Sequence, residues 1–570
     1  MNHLRFNTMA ATAILAVSSM ATSCRDNVTP GHGEALFESF SYKGDDDFYR
    51  THQLPDESSF YNPILPGWYS DPSICTNGRG DYFLATSTFT FVPGVPLFHS
   101  RDLVNWTKIG HVLTRESQMK NFRHQHVSGG IFAPDIKYNP ANETYYMITT
   151  NVGAGNFLVK TTDPWGEWSD PVYLPEVQGI DPSFFFDNDG RAYIVNNDDA
   201  PDASPEYPGH RTVRIVEFDT ELEKCIGQRK ILVDKGWRPQ DRPIWCEGPH
   251  IYNIDGTYYL MTAEGGTSTG HSEVIYRGPS PMGPFEPWEG NPILTQRDLD
   301  PARPDPVTCA GHADMVQTPD GDWWAVFLAC RPIDGEFENL GRETFLMPVK
   351  WTDDRWPYMT RPGETIPLTA SRPGVRRDKN VTFGNFEWSD RFDSATLDME
   401  WHTLRGDAAC LYSLDDHPGY LTLRCSDIPT TAKDVPAFMG RRVQHHRYEC
   451  TTHMFFEPDD TLQHAGLVIF KDETHQYQLS RCNTGDCDRI VLRMVADNGT
   501  TELASANLCD GTPAIGLRII SHGRSYDFLF STDGGRNWIS LMTSVDARHT
   551  STAAAGGFTG TLVGPYASAI

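Results

Sequence analysis

Five times along this chain a short β-like run opens on a segment with an acidic residue, turns, and returns through an aromatic strand. The openings are Asp71-Pro-Ser-Ile74, Ala133-Pro-Asp-Ile136, Asp181-Pro-Ser-Phe184, Glu247-Gly-Pro-His-Ile251 and Gly311-His-Ala-Asp-Met315. The turns carry Asn77-Gly78, Asn139-Pro140, Asn188-Asp-Gly190, Asp255-Gly256 and Asp320-Gly321, residues whose backbone preferences favour tight reversals. The returning strands begin at Tyr82, Tyr145, Tyr193, Tyr258 and Trp323, in steps of 63, 48, 65 and 65 residues. Strand–turn–strand units at such a period are expected as blades of a β-propeller, here five-bladed. A β-sandwich with chance hairpins is the alternative, and it leaves the recurring openings unexplained.

In a propeller the innermost strand of each blade begins near the central axis, so equivalent repeat positions converge on one pocket. Asp71, Asp181 and Glu247 hold that position, Asp135 lies close to it, and His312 occupies it in the fifth repeat. Glu247 follows Trp245 and Cys246 and precedes Gly248-Pro249. An acid against apolar neighbours at a strand entrance is where desolvation raises a carboxyl pKa, as a general acid requires. Taken alone, Asp181 reads as an Asp-Pro turn and Glu247 as a solvated charge. That reading does not explain three acids at equivalent positions. Two chemistries use such a cluster: metal binding and acid/base cleavage of a glycosidic bond.

A chain of 570 residues is expected to hold two or more domains. Its net charge of −27, with no Lys/Arg cluster, argues against nucleic acid or an anionic membrane as partner. Residues 1–24 read as an export signal: Arg5, an apolar run from Ala10 to Met20, then Ala21-Thr-Ser-Cys24. Small residues before a Cys resemble a bacterial lipoprotein signal, which implies an exported protein, periplasmic or at the cell surface, anchored by lipid at Cys24. Ordinary secretion is the alternative, and no later stretch is apolar enough to span a bilayer. Residues 25–58, with Asp45-Asp-Asp47, read as a polar tether. The propeller is placed at 59–360 and a Pro- and charge-rich linker at 361–380. From 381 to 570 the texture changes. Leu421–Cys425, Ala465–Phe470, Gln476–Ser480 and Ser525–Phe530 read as strands of an antiparallel β-sandwich. Beyond Cys24 the chain has eleven cysteines, an odd number with no C-x-x-C pair, and nothing reads as a zinc site.

At the acidic openings the chain resembles glycoside hydrolase family 43, the five-bladed β-xylosidases and α-L-arabinofuranosidases. Asn62-Pro-Ile-Leu-Pro-Gly-Trp-Tyr-Ser-Asp-Pro-Ser-Ile74 resembles the family's general-base segment. Ile180-Asp-Pro-Ser-Phe184 resembles the segment of its third carboxylate, and Cys246-Glu-Gly-Pro-His-Ile-Tyr252 its general-acid segment. Phe91-Val-Pro-Gly-Val-Pro96, His99–Trp106 and Asn339-Leu-Gly-Arg-Glu-Thr344 are further landmarks. Phe438-Met-Gly-Arg-Arg-Val-Gln444 and Gly556-Gly-Phe-Thr-Gly560 resemble the concanavalin-A-like domain appended to many of these enzymes. That domain usually ends in a further Asp-Phe-Asp-aromatic strand. This sequence runs only to Tyr566-Ala-Ser-Ala-Ile570, so the sandwich is expected to lack an edge strand.

The resemblance implies hydrolysis with inversion at the anomeric carbon, with Glu247 as general acid, Asp71 as general base and Asp181 orienting the acid and keeping its pKa high. It further implies that Arg342 donates hydrogen bonds to a sugar hydroxyl and that His312 lines the pocket floor. Phe89 and Phe132 are the expected apolar wall, with Phe132 standing where β-xylosidases of this type usually carry Trp. Phe558 is the expected lid residue reaching over from the sandwich, and Asp135 is expected only to support the pocket. Core or ion-pair roles are the alternatives for these: a sandwich-core Phe558, a structural His312, and an Arg342 paired with Glu343. Some family members hold a calcium ion near the central histidine. No EF-hand-like ligand run is present, so no cofactor is expected from the sequence, with a structural calcium ion as the open alternative. The expected activity is release of β-1,4-linked xylose, with α-L-arabinofuranose as a side substrate. A non-catalytic carbohydrate-binding lipoprotein is the second reading. A retaining fructosidase is disfavoured, because Ser70-Asp-Pro-Ser-Ile74 stands where that group has Asn-Asp-Pro-Asn-Gly.

Overall fold

The computed structural model describes residues 30–508 and 512–570. The expected export signal, with Cys24, lies outside the described residues. Five antiparallel sheets follow one another as blades, with innermost strands Ser73–Thr76, Asp135–Asn139, Ile180–Phe186, Glu247–Ile254 and Thr308–Gln317. Each innermost strand pairs with the aromatic strand that follows its turn. The doublet Tyr145-Tyr146 shows why those strands are aromatic on consecutive positions. Successive side chains point to opposite faces of a strand. Tyr145 packs toward Phe83 and Leu97 of blade 1, and Tyr146 toward Phe184 and Ile194 of blade 3. A blade is covered on both faces, so alternation with polar residues disappears.

At the axis two buried carboxylates tie all five blades together. Asp135 accepts hydrogen bonds from Ser73 Oγ of blade 1 (3.0 Å) and the Phe184 amide of blade 3 (2.8 Å). Asp314, on blade 5, accepts from the Ile74 amide (2.8 Å) and from Tyr252 Oη of blade 4 (2.7 Å). Lys137 Nζ bridges the pair, 2.7 Å from Asp314 and 3.2 Å from Asp135. The ring closes where Asn62 exchanges two side-chain hydrogen bonds with the backbone of Leu346 on blade 5, each 2.9 Å. The stretch read as a linker runs back along this closure: Thr369–Ser371 pairs with Ser59–Tyr61.

The second domain is a sandwich of a seven- and an eight-stranded sheet. Here the tether reading of residues 25–58 fails in its larger part. Residues Glu34–Gly44 form strand β1, which lies inside the eight-stranded sheet between Leu421–Arg424 and Arg447–Phe455. Phe37, Phe40 and Tyr42 are fully buried in the sandwich core. The period-2 signal was present, but a register shift between Phe37 and Ser39 breaks it. The expected missing strand is likewise corrected. Leu562–Ala569 is an interior strand of the seven-stranded sheet, and β1 adds the further strand from the other end of the sequence.

Propeller and sandwich meet over a shared apolar cluster that includes Trp68, Phe91, Phe438, Phe470 and Leu562. Arg442, buried, donates from Nε to the Trp68 carbonyl (3.0 Å) and lies over the rings of Trp68 and Tyr69. The two α-helices among the described residues are short, Asp47–Thr51 and Thr552–Ala555. Among the described residues no helix is long and apolar enough to cross a membrane.

Candidate active site

The openings that recur in the sequence do one geometric job. Asp71, Asp181 and His312 all have left-handed backbones, with φ of 54°, 51° and 52°, and Gly248, beside Glu247, has φ of 55°. Blades 3, 4 and 5 each show a register shift at this point: Ile180/Ser183, Glu247/His250 and Gly311/Asp314. Such a bulge breaks the pleat and re-aims a side chain. A left-handed non-glycine residue costs about 1–3 kcal/mol, so it persists only where the surrounding structure fixes it. Gly248 is glycine for a second reason as well. A Cβ there would stand 3.0 Å from the His312 ring.

Asp71, Asp181, Glu247, His312 and Arg342 are all buried and line one cavity of about 220 Å³ with Phe89, Phe132 and Phe558. That is below the ~300–1,000 Å³ of pockets that enclose drug-sized ligands, and leaves room for a single sugar ring. Burial, then the charges of Asp181 and Asp71, hold the Glu247 carboxyl well above the usual range. Burial and the Asp71 charge raise Asp181 to about 7. Asp71 is placed differently. Arg342 Nη1 lies 2.7 Å from its Oδ1, and Ser87 Oγ donates to its Oδ2 at 2.7 Å. The site thus brings together a carboxyl whose protonated form is favoured and an ion-paired carboxylate, the division of labour that acid/base hydrolysis uses.

The walls are aromatic. Phe558 stacks on Phe89 (centroids 6.0 Å apart, 24°) and meets Phe132 edge-on at 5.7 Å. Phe558 comes from the sandwich and is 37% exposed, so it is a rim residue and not part of the sandwich core. Its loop is tied to the propeller. Ser128 Oγ accepts from the Phe558 amide (2.9 Å) and Arg342 Nη2 donates to the Phe558 carbonyl (3.5 Å), while from the sandwich itself Lys471 Nζ donates to the Thr559 carbonyl. Gly341 and Gly560 permit the close crossing, since a Cβ on Gly341 would lie 2.7 Å from the Gly560 nitrogen.

Asp135 is not in this cavity. It belongs to the axial network, and His250 stands beside it with Nδ1 3.5 Å from Asp135 and 3.8 Å from Asp314. Asp135, His250 and Asp314 could together face a cation. Calcium, however, asks for six to eight oxygens, and the ammonium of Lys137 already stands against both carboxylates. This donor set does not fit a calcium ion. A second group, Cys309, Cys330 and Glu338, lies outside the cavity lining. The ten described cysteines outside 509–511 are free thiols. Arg342 does not pair with Glu343. That carboxylate receives Arg331 at 2.7 Å and the Gly67 amide at 2.8 Å. Sequence reasoning missed Ile180, Gly266 and Thr267 as lining residues, and Ser87 as a partner of Asp71. None of them carries a chemical signature of its own.

The propeller, its converging acids and the appended sandwich define a glycoside hydrolase. Residues 60–357 match the model of glycosyl hydrolases family 43, and residues 389–570 that of the beta xylosidase C-terminal concanavalin A-like domain. The chain belongs to glycoside hydrolase family 43, and its substrate is a carbohydrate. It is similar to a non-reducing end alpha-L-arabinofuranosidase of Bacteroides ovatus, 35% identical over 90% of this chain and 92% of that one. A xylosidase/arabinosidase of Butyrivibrio fibrisolvens is 36% identical, covering 89% and 95%. Among solved structures, a GH43_12 retrieved from a capybara gut metagenome superposes with a TM-score of 0.87. It is 38% identical, over 94% of this chain and all of that one.

Proposed function

We propose that the enzyme removes terminal xylose, β-1,4-linked, and α-L-arabinofuranose from xylo-oligosaccharides and arabinoxylan, with inversion. The observation that carries this reading is one small aromatic-walled cavity holding Glu247, Asp181 and Asp71 together. Glu247, protonated, gives its proton to the glycosidic oxygen as the bond to the anomeric carbon breaks. Asp71, fixed by Arg342 and Ser87, takes a proton from the water that attacks the opposite face. Inversion needs these carboxyls about 6.5–9.5 Å apart, to leave space for that water. Asp181, buried beside the acid, disfavours its ionisation. A cavity that closes over one ring suits an enzyme acting at a chain end, and relatives named for xylosidase and arabinosidase activities support the two sugars. The mechanism uses no metal, so EDTA is expected to leave the rate unchanged.

Release of nitrophenol from 4-nitrophenyl β-D-xyloside and α-L-arabinofuranoside, with Glu247→Ala as control, tests the reading. Turnover lost in the variant supports it. No pentose release from these or from arabinoxylan fragments refutes it. The export reading has its own test: the mature protein is expected to begin at a lipidated Cys24, visible in the mass of its N-terminal peptide.

A further inference from the structure

Blades 3 and 4 contribute a wall of the cavity that the proposed mechanism does not use: Ile180, Trp245, Gly266 and Thr267. Trp245 is the unusual member. It is half-buried, stands two residues before Glu247, and holds a left-handed backbone (φ 53°) that is rare for so bulky a residue. Its amide donates to the Gly209 carbonyl at 2.9 Å. One face of the indole is covered by the Arg211 guanidinium, 4.4 Å from the ring centroid. Arg211 is in turn paired with Asp199. The ring is therefore packed against a cation that is itself ion-paired.

An indole that lines a sugar cavity and is packed against a guanidinium is a stacking platform for an uncharged ring. Its place beside the general acid says which ring. Glu247 must reach the oxygen that leaves, and the cavity takes only the ring whose bond breaks, so the leaving sugar lies beyond it, against the half-buried side chain that flanks the acid. We propose that Trp245, held by Arg211, is the platform for the sugar on the leaving-group side of the scissile bond, and that its occupant is a neutral pentosyl residue. This deepens the function proposed above and rests on it.

The test uses the full chain, with Trp245→Ala and Trp245→Phe compared with wild type on two substrates. Xylobiose carries a sugar leaving group, whereas β-D-xylosyl fluoride carries a single atom. Trp245→Ala is expected to raise KM for xylobiose about tenfold. Turnover of the fluoride and inhibition by free xylose are expected to stay within about twofold. Trp245→Phe is expected to recover most of the loss. Retained fluoride turnover also shows that the variant is folded. An unchanged KM for xylobiose overturns the proposal, as does an equal loss on both substrates in both variants. If wild type cleaves neither compound, the pentosidase reading itself falls, and the pentosyl occupant with it.

Discussion

Arg342 and Asp71 are separated by 271 positions, yet the guanidinium lies 2.7 Å from one carboxylate oxygen and 3.4 Å from the other. The contact joins the last blade to the first, its neighbour in the closed ring, and it places a fixed donor fork on the carboxylate assigned as general base. Arg342→Lys keeps the charge and loses the fork. The expected outcome is a fall of about 100-fold or more in kcat/KM, ~2.7 kcal/mol of transition-state stabilisation, with little change in melting temperature.

Asp181→Asn removes a negative charge beside Glu247 and preserves shape. Repulsion by Asp181 helps raise the Glu247 pKa. Removing it favours the ionised acid, so the pKa falls. Activity that depends on protonated Glu247 is lost as pH rises through that pKa. The alkaline limb of the kcat/KM profile is therefore expected to move to lower pH, and an unmoved limb would sink the pairing.

Phe558→Ala removes the sandwich's contribution to the cavity wall. The residue is exposed at the rim, so stability should change by no more than about 0.5 kcal/mol. The expected loss of roughly ten- to a hundredfold in kcat/KM, ~1.4–2.7 kcal/mol, would then report the lid role alone. Paired steady-state kinetics and thermal melts separate the two.

Lys137→Met leaves Asp135 and Asp314 facing each other without their cation. Breaking a buried pair costs about 3–5 kcal/mol, here expected in urea unfolding at neutral pH. The environment that includes His250 and Lys137 holds Asp314 down at about 2. A depressed carboxyl stabilises the fold above its unfolded pKa and loses that contribution as pH falls through the folded one. The gap between wild type and variant should therefore narrow as pH drops toward 2.

Phe40 of β1 is fully buried and meets Trp401 edge-on at 5.1 Å. Phe40→Ala is expected to destabilise the sandwich by about 3–5 kcal/mol. A tether residue would cost nothing, so chemical denaturation distinguishes the two roles directly.

Repetition made the propeller legible. A blade is a local unit, so its turn residues and doubly buried aromatic strands recur in the chain where periodicity can be read. The three acids were legible for the same reason, because the repeat itself says that they converge. The fate of Asp135 was not legible. It opens the regular inner strand of blade 2 and its partners come from three other blades, a choice made by the ring's closure. Nor could β1 be read as a core strand. Its alternation is interrupted at Glu38, and its neighbours in the sheet lie 384 and 419 positions away, Leu421↔Phe37 and Phe455↔Leu36. The sequence by itself determined the blade count, the acid set and the presence of a second β domain, all properties written in local pattern. Only the tertiary structure decided which carboxylate meets a cation, which aromatic face closes the cavity and which end of the chain completes the sandwich. Those outcomes depend on desolvation and on contacts between segments far apart in sequence, which no local pattern records.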